Sequence, residues 1–198
     1  MGFVFQPYLS RGSATPCVAR TMPQTSDLVQ AFPLGEEKKK ALIEISHDVM
    51  LKLVACLDQA EPVIKDVEAG NGTVTRGDVK VNAAGNAVQL PAVVDLRARS
   101  ELFLYNAKGA LREIARIFEP LYGQKFDHKF QKIRQWAEAT YGPDDALTKL
   151  LLSDAAWIEC VIGMRNAVDH PGSGDGTLFL QNFRLASAGP PMQVAEPT

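Results

Sequence analysis

The chain has 198 residues, 46% of them hydrophobic, which is enough for one compact domain with a real core. Its 21 basic and 23 acidic residues leave a net charge of −2, which excludes attachment to nucleic acid by bulk charge and leaves that task to a local patch. No apolar run approaches the ~18 residues of a membrane-spanning helix, and Cys17, Cys56 and Cys160 are widely spaced with no CxxC pair, the pattern of reduced, core or near-core thiols in a cytoplasmic protein.

Residues 1–26 carry Arg11 and Arg20, no acid, and several Ser and Thr, a bias shared with organellar presequences. Pro7, Pro16 and Pro23 interrupt any amphipathic helix there, so residues 1–35 are expected to form a poorly ordered leader. The first helix is predicted over residues 36–68, where Leu42, Ile45, Val49, Leu53 and Cys56 or Leu57 recur at three- and four-residue steps. Pro62 is expected to kink it or end it early. An insertion at about residues 71–92 follows, in which short alternating pieces (Val79, Val81; Val88, Leu90) flank Ala-Gly-Asn and predict a β-hairpin over roughly 78–90.

A second helix is predicted from about residue 95 to 118, with Phe103, Ala107, Leu111, Ile114 and Phe118 on one face and Pro120 and Gly123 after it. A third spans about residues 127–141 through Phe130, Ile133, Trp136 or Ala137, and Tyr141. The fourth begins at Gly142-Pro143-Asp144, carries Leu147, Leu150, Leu151, Trp157, Ile158, Val161, Ile162 and Val168, and meets Pro171 and Gly172. Residues 172–198 read as a strand in GTLFLQNFRL and a loose tail from Gly189. The fold expected for residues 36–171 is all-α, an up-and-down four-helix bundle with the small β-hairpin insertion; the C-terminal strand is free to pair with that hairpin at its edge.

GxSxG, P-loop, HExxH and metal-type Cys/His patterns are absent, so no cofactor or metal is expected. The run PGSGDGT (171–177) follows a helix instead of opening one, which makes it a flexible connector and not a phosphate cradle. The chemistry-bearing residues gather at the end of the fourth helix, in Arg165-Asn166-Ala167-Val168-Asp169-His170. Arg165 lies beside the apolar stripe, where a guanidinium must find a partner. His170 precedes Pro171, which disfavours helical geometry, so the helix ends there and the ring can swing back toward Arg165. Arg165 and Asp169 can equally form an ordinary i,i+4 salt bridge, with His170 favoured by the helix dipole.

The string MRNAVDHP resembles the signature of HEPN domains, an arginine followed by a polar residue and then a histidine at the end of the last long helix. The order of elements from about residue 95 to 171 is similar as well. The resemblance implies a homodimer whose motif helices face each other and, in many members, metal-independent endoribonuclease activity of the kind found in toxin–antitoxin, defence or stress systems. Arg165 and His170 would then be catalytic, with Asn166 orienting one of them or a nucleotide. If helices alternate in direction, the fourth runs parallel to the second and ends beside Arg116, Lys125, His128 and Lys129. Residues 94–134 hold nine Lys/Arg against five Asp/Glu, a basic rim suited to RNA, whereas residues 135–198 hold three against eight. A second reading remains open, a non-catalytic HEPN-like module that dimerises and binds a nucleotide, an antitoxin or another partner protein; a third is a plain helical bundle with a structural Arg165–Asp169 bridge.

Overall fold

The computed structural model describes residues 9–84, 87–126, 129–174, 176–187 and 193–198. The protein is predominantly helical, with short helices α1 (Pro16–Ala19), α2 (Thr25–Ala31) and α5 (Phe118–Tyr122) and long helices α3 (Glu36–Thr75), α4 (Leu96–Ala115), α6 (Phe130–Tyr141) and α7 (Ala146–Asp169). Strands β1 (Lys80–Val81) and β2 (Val88–Gln89) pair antiparallel, and so do β3 (Arg184–Ser187) and β4 (Gln193–Ala195). The chain divides into two compact units. Unit 1 is Met1–Ala55 with Asn106–Ile162, and unit 2 is Cys56–Tyr105 with Gly163–Thr198; α3, α4 and α7 contribute residues to both.

In unit 1 the segment expected to be a loose leader is helical from residue 16 to 31. Pro16 occupies the first helical position, where its missing N–H costs nothing. Pro23 is accommodated in a π-helical turn (Arg20–Gln24), and the Thr25 hydroxyl donates to the Arg20 carbonyl at 3.0 Å. Tertiary contact overrides the prolines: Val18 is buried against Met50 and Val54 of α3, and the Ser46 hydroxyl donates to the Thr21 carbonyl. A second cluster joins Ala115, Phe118 and Ile133 with Trp136, Leu147 and Leu151, and Phe118, Tyr122, Phe126, Trp136 and Tyr141 form a chain of ring contacts at 5.3–6.2 Å between centroids. Burial raises the Tyr122 phenol above its usual pKa, with Tyr141 and Asp145 adding to the effect.

The buried face of α3 is close to the expected one (Leu42, Ile45, Val49 and Cys56, joined by Met50 and Val54). The helix nevertheless runs past Pro62 to Thr75. In α4 the face is turned by one residue: Leu104, Ala110, Leu111, Ala115 and the following Phe118 are buried, and Phe103 only partly. The apolar run of α7 is less buried than its composition suggests. Ile158 and Ala167 are inside, while Leu150, Trp157, Cys160 and Met164 are exposed, so the reading of Cys160 as a core thiol does not hold.

Unit 2 explains why α3 is long. Phe183 packs its ring onto Gly70, where a Cβ would come within 2.4 Å of it. Asn182 acts as a surrogate strand edge, its Oδ1 accepting from the Val93 amide at 2.9 Å and its Nδ2 donating to the Val93 carbonyl at 2.8 Å. The hairpin is present, but the C-terminal segment does not pair with it. Instead β3 turns back onto β4, within the tail expected to be loose, and residues 177–183 are not strand. The proposed PGSGDGT connector is a hydrogen-bonded turn in its described part, with Gly172 at φ +78° and its amide donating to the Gly176 carbonyl at 3.1 Å.

Two substitutions test this packing. Gly70→Ala gains about 0.5–1 kcal/mol of helix propensity but forces the buried Phe183 ring aside, an overpacking cost of about 1–3 kcal/mol, so its melting temperature should fall. Thr148 is buried with its hydroxyl unpartnered among the described residues. Thr148→Val removes that hydroxyl and should raise stability by about 1 kcal/mol in denaturant titrations.

Candidate functional site

α7 ends at Asp169, as the following proline requires: His170 precedes Pro171, and its amide makes a last helical bond to the Asn166 carbonyl at 2.8 Å. Arg165, Asn166 and His170 all belong to unit 2. The Arg165 side chain is 18% exposed and its Nη2 lies 2.5 Å from Asp169 Oδ1. On its other side the guanidinium sits over the Tyr105 ring, with Cζ 5.5 Å from the centroid. The cation that the sequence left beside an apolar stripe is thus neutralised along its own helix and covered by an aromatic face from α4. His170 is exposed, and its imidazole makes no hydrogen bond or ion pair among the described residues. The contacts of Arg165 are therefore with Asp169 and Tyr105; the expected swing of the His170 ring toward Arg165 is not among them. Asn166 is partly buried and engaged.

In unit 1 the first turns of α7, through Leu147 and Leu151, join the cluster at the end of α4. In unit 2 its last turns meet the first half of α4, with Arg165 on Tyr105 and Met164 beside Phe103 and Leu104. The expected basic rim is not part of unit 2. Arg116, Lys125 and Lys129 fall in unit 1, and His128 lies outside the described residues.

Arg116 also differs from an open phosphate contact. Its Nη1 bonds Glu113 and lies 3.2 Å from Asp48, and these carboxylates, the Glu113 hydrogen bond first, raise the guanidinium pKa further above its usual value. Lys125 and Lys129 are exposed, and the Lys129 carbonyl accepts from the Lys132 and Ile133 amides at the start of α6. No group of three or more His, Cys, Asp and Glu side chains that could hold a metal occurs among the described residues. Likewise, no helix among them is long and apolar enough to cross a membrane.

Tyr105 escaped the sequence reading. It stands one position past Leu104, on the shoulder of the predicted α4 stripe, and only the packing within unit 2 makes it a neighbour of Arg165. No family model, curated protein or solved structure matches the chain.

The Arg165–Asp169 pair is partly shielded, so it exceeds a fully exposed helical pair. A double-mutant cycle with Arg165→Ala and Asp169→Ala should give a coupling of about 1 kcal/mol that shrinks in high salt; a coupling of zero would mean that Tyr105 alone holds the guanidinium.

Proposed function

We propose that the four long helices form a HEPN-like bundle and that the chain is a metal-independent endoribonuclease, with Arg165 and His170 as its catalytic residues. The observation that carries this reading is the end of α7: an accessible imidazole at His170, unpaired among the described residues, follows, five residues on, a guanidinium held by Asp169 and Tyr105. Dimerisation through α7 has its own support. Leu150, Trp157 and Met164 follow one another at seven-residue steps and are each at least 42% exposed, a stripe that a second copy of the same helix would cover.

In the proposed reaction His170 takes the proton of a ribose 2′-hydroxyl as that oxygen attacks the adjacent phosphorus. The bond from phosphorus to the 5′-oxygen breaks, and the leaving oxygen receives a proton from the imidazolium of the second copy. Arg165 exchanges Asp169 for the phosphate oxygens as negative charge accumulates on them, while Asn166 orients a nucleotide. The products are a 2′,3′-cyclic phosphate and a 5′-hydroxyl end. Toxin–antitoxin, defence or stress systems are the setting that such an activity suits, in the cytoplasm.

One observation favours a second reading, a non-catalytic HEPN-like module for dimerisation and for nucleotide or partner binding. Arg165 is already neutralised by Asp169, and no contact ties it to His170. Single-stranded RNA incubated in EDTA separates the two. Cleavage by the wild type should fall about 10²–10⁴-fold in His170→Ala. Cleavage absent from both proteins, or equal in both, eliminates the ribonuclease.

A further inference from the structure

Unit 2 contains a cleft of about 290 Å³ that the proposed reaction does not use. Val63 and Ile64 of α3, Phe103 and Leu104 of α4, and Leu178 and Leu180 of the segment after α7 give it an almost entirely apolar wall. One cation interrupts that wall. Arg99 lines the cleft, its Nε is buried without a hydrogen-bond partner, and no ion pair to its guanidinium exists among the described residues.

Carboxylates of unit 2 on the same two helices are otherwise engaged, Asp58 and Glu61 among them. Asp66 accepts from the Val94 amide at 3.2 Å, and Glu101 pairs with Arg97 at 2.8 Å. A partly buried guanidinium with no counter-charge is costly, because its donors are cut off from water without replacement. The same dry surroundings strengthen the attraction for any anion that arrives. An apolar chamber with a single unneutralised cation is complementary to an anion that carries an apolar body. The chamber's size, near the lower end of small-molecule sites at about 300–1,000 Å³, restricts that body to a short chain or a single ring.

We propose that this cleft binds a small apolar carboxylate, with its carboxylate on the outer nitrogens of Arg99 and its hydrocarbon between α3 and α4. A neutral amphiphile of the same length gains the hydrocarbon contacts but not the charge-assisted hydrogen bonds, and so binds more weakly. The site does not use the proposed catalytic residues, since neither Arg165 nor His170 lines it; Met164 alone is shared with the proposed dimer stripe.

Isothermal titration of the full chain with octanoate and with octanol tests the proposal. Octanoate should bind saturably at one site and at least about tenfold more tightly than octanol, the contribution of hydrogen bonds to a charged group. Arg99→Gln should bring octanoate down to the octanol level while leaving octanol within about twofold, and Val63→Trp, which fills the cleft, should abolish both. No saturable octanoate binding, or equal affinity for the two ligands in the wild type, overturns the proposal. Undiminished octanoate binding by a folded Arg99→Gln does the same. The wild-type comparison decides the matter even if a variant fails to fold.

Discussion

The forty residues of α3 stay helical through Pro62, and much of the remaining structure depends on that continuity. A proline inside a helix removes the bond to the carbonyl four residues back and costs about 3 kcal/mol. The helix packs on both sides of the proline. Leu42, Ile45, Val49, Met50, Val54 and Cys56 are all buried, and full burial of one such side chain contributes about 1.5–3 kcal/mol. Beyond the proline, Gly70 accepts the Phe183 ring in contact too close for any side chain. α3 thereby supplies a packing face in each unit: for α1 in unit 1, and for the C-terminal segment in unit 2.

The candidate site shows a balance of a different kind. A guanidinium beside an apolar stripe demands a partner, and the helix itself provides one at Asp169, four residues along. Tyr105 then shields the pair from one side. This arrangement holds Arg165 in a defined position at little strain, but it also sets a competitor against any phosphate. His170 has the opposite character, exposed at the helix end with no partner for its imidazole among the described residues. Arg99 is the contrasting case, a cation whose buried Nε finds no hydrogen-bond partner among the described residues.

Much of this was legible from residue order alone. Helical periodicity located α3, α4, α6 and α7 to within a few residues at most ends, because amphipathic spacing over twelve or more residues is a long signal. Alternation about Ala-Gly-Asn located β1 and β2, and the proline after His170 located the end of α7. Local rules failed where distant contacts decided the outcome. Three prolines argued for a loose N-terminal segment, yet the burial of Val18 and Val29 holds α1 and α2 in place. Pro62 argued for an early end to α3, yet the helix continues to Thr75 and meets the Phe183 ring at Gly70. An apolar stripe on α7 argued for burial, and Leu150, Trp157 and Met164 remain outside.

The sequence by itself determined the helical class, the hairpin, and the place where Arg165, Asn166 and His170 stand, since each follows from periodicity, turn chemistry or proline geometry within a few residues. Only the tertiary structure decided which residues surround them. Packing within unit 2 puts Tyr105 over Arg165, and β3 pairs with β4 in a sheet separate from the hairpin. The Asn182 clamp on Val93 and the seat of Phe183 on Gly70 belong to the same class. Each joins residues far apart in the chain. Such contacts depend on the summed burial of whole elements, and no local pattern of residues encodes that sum.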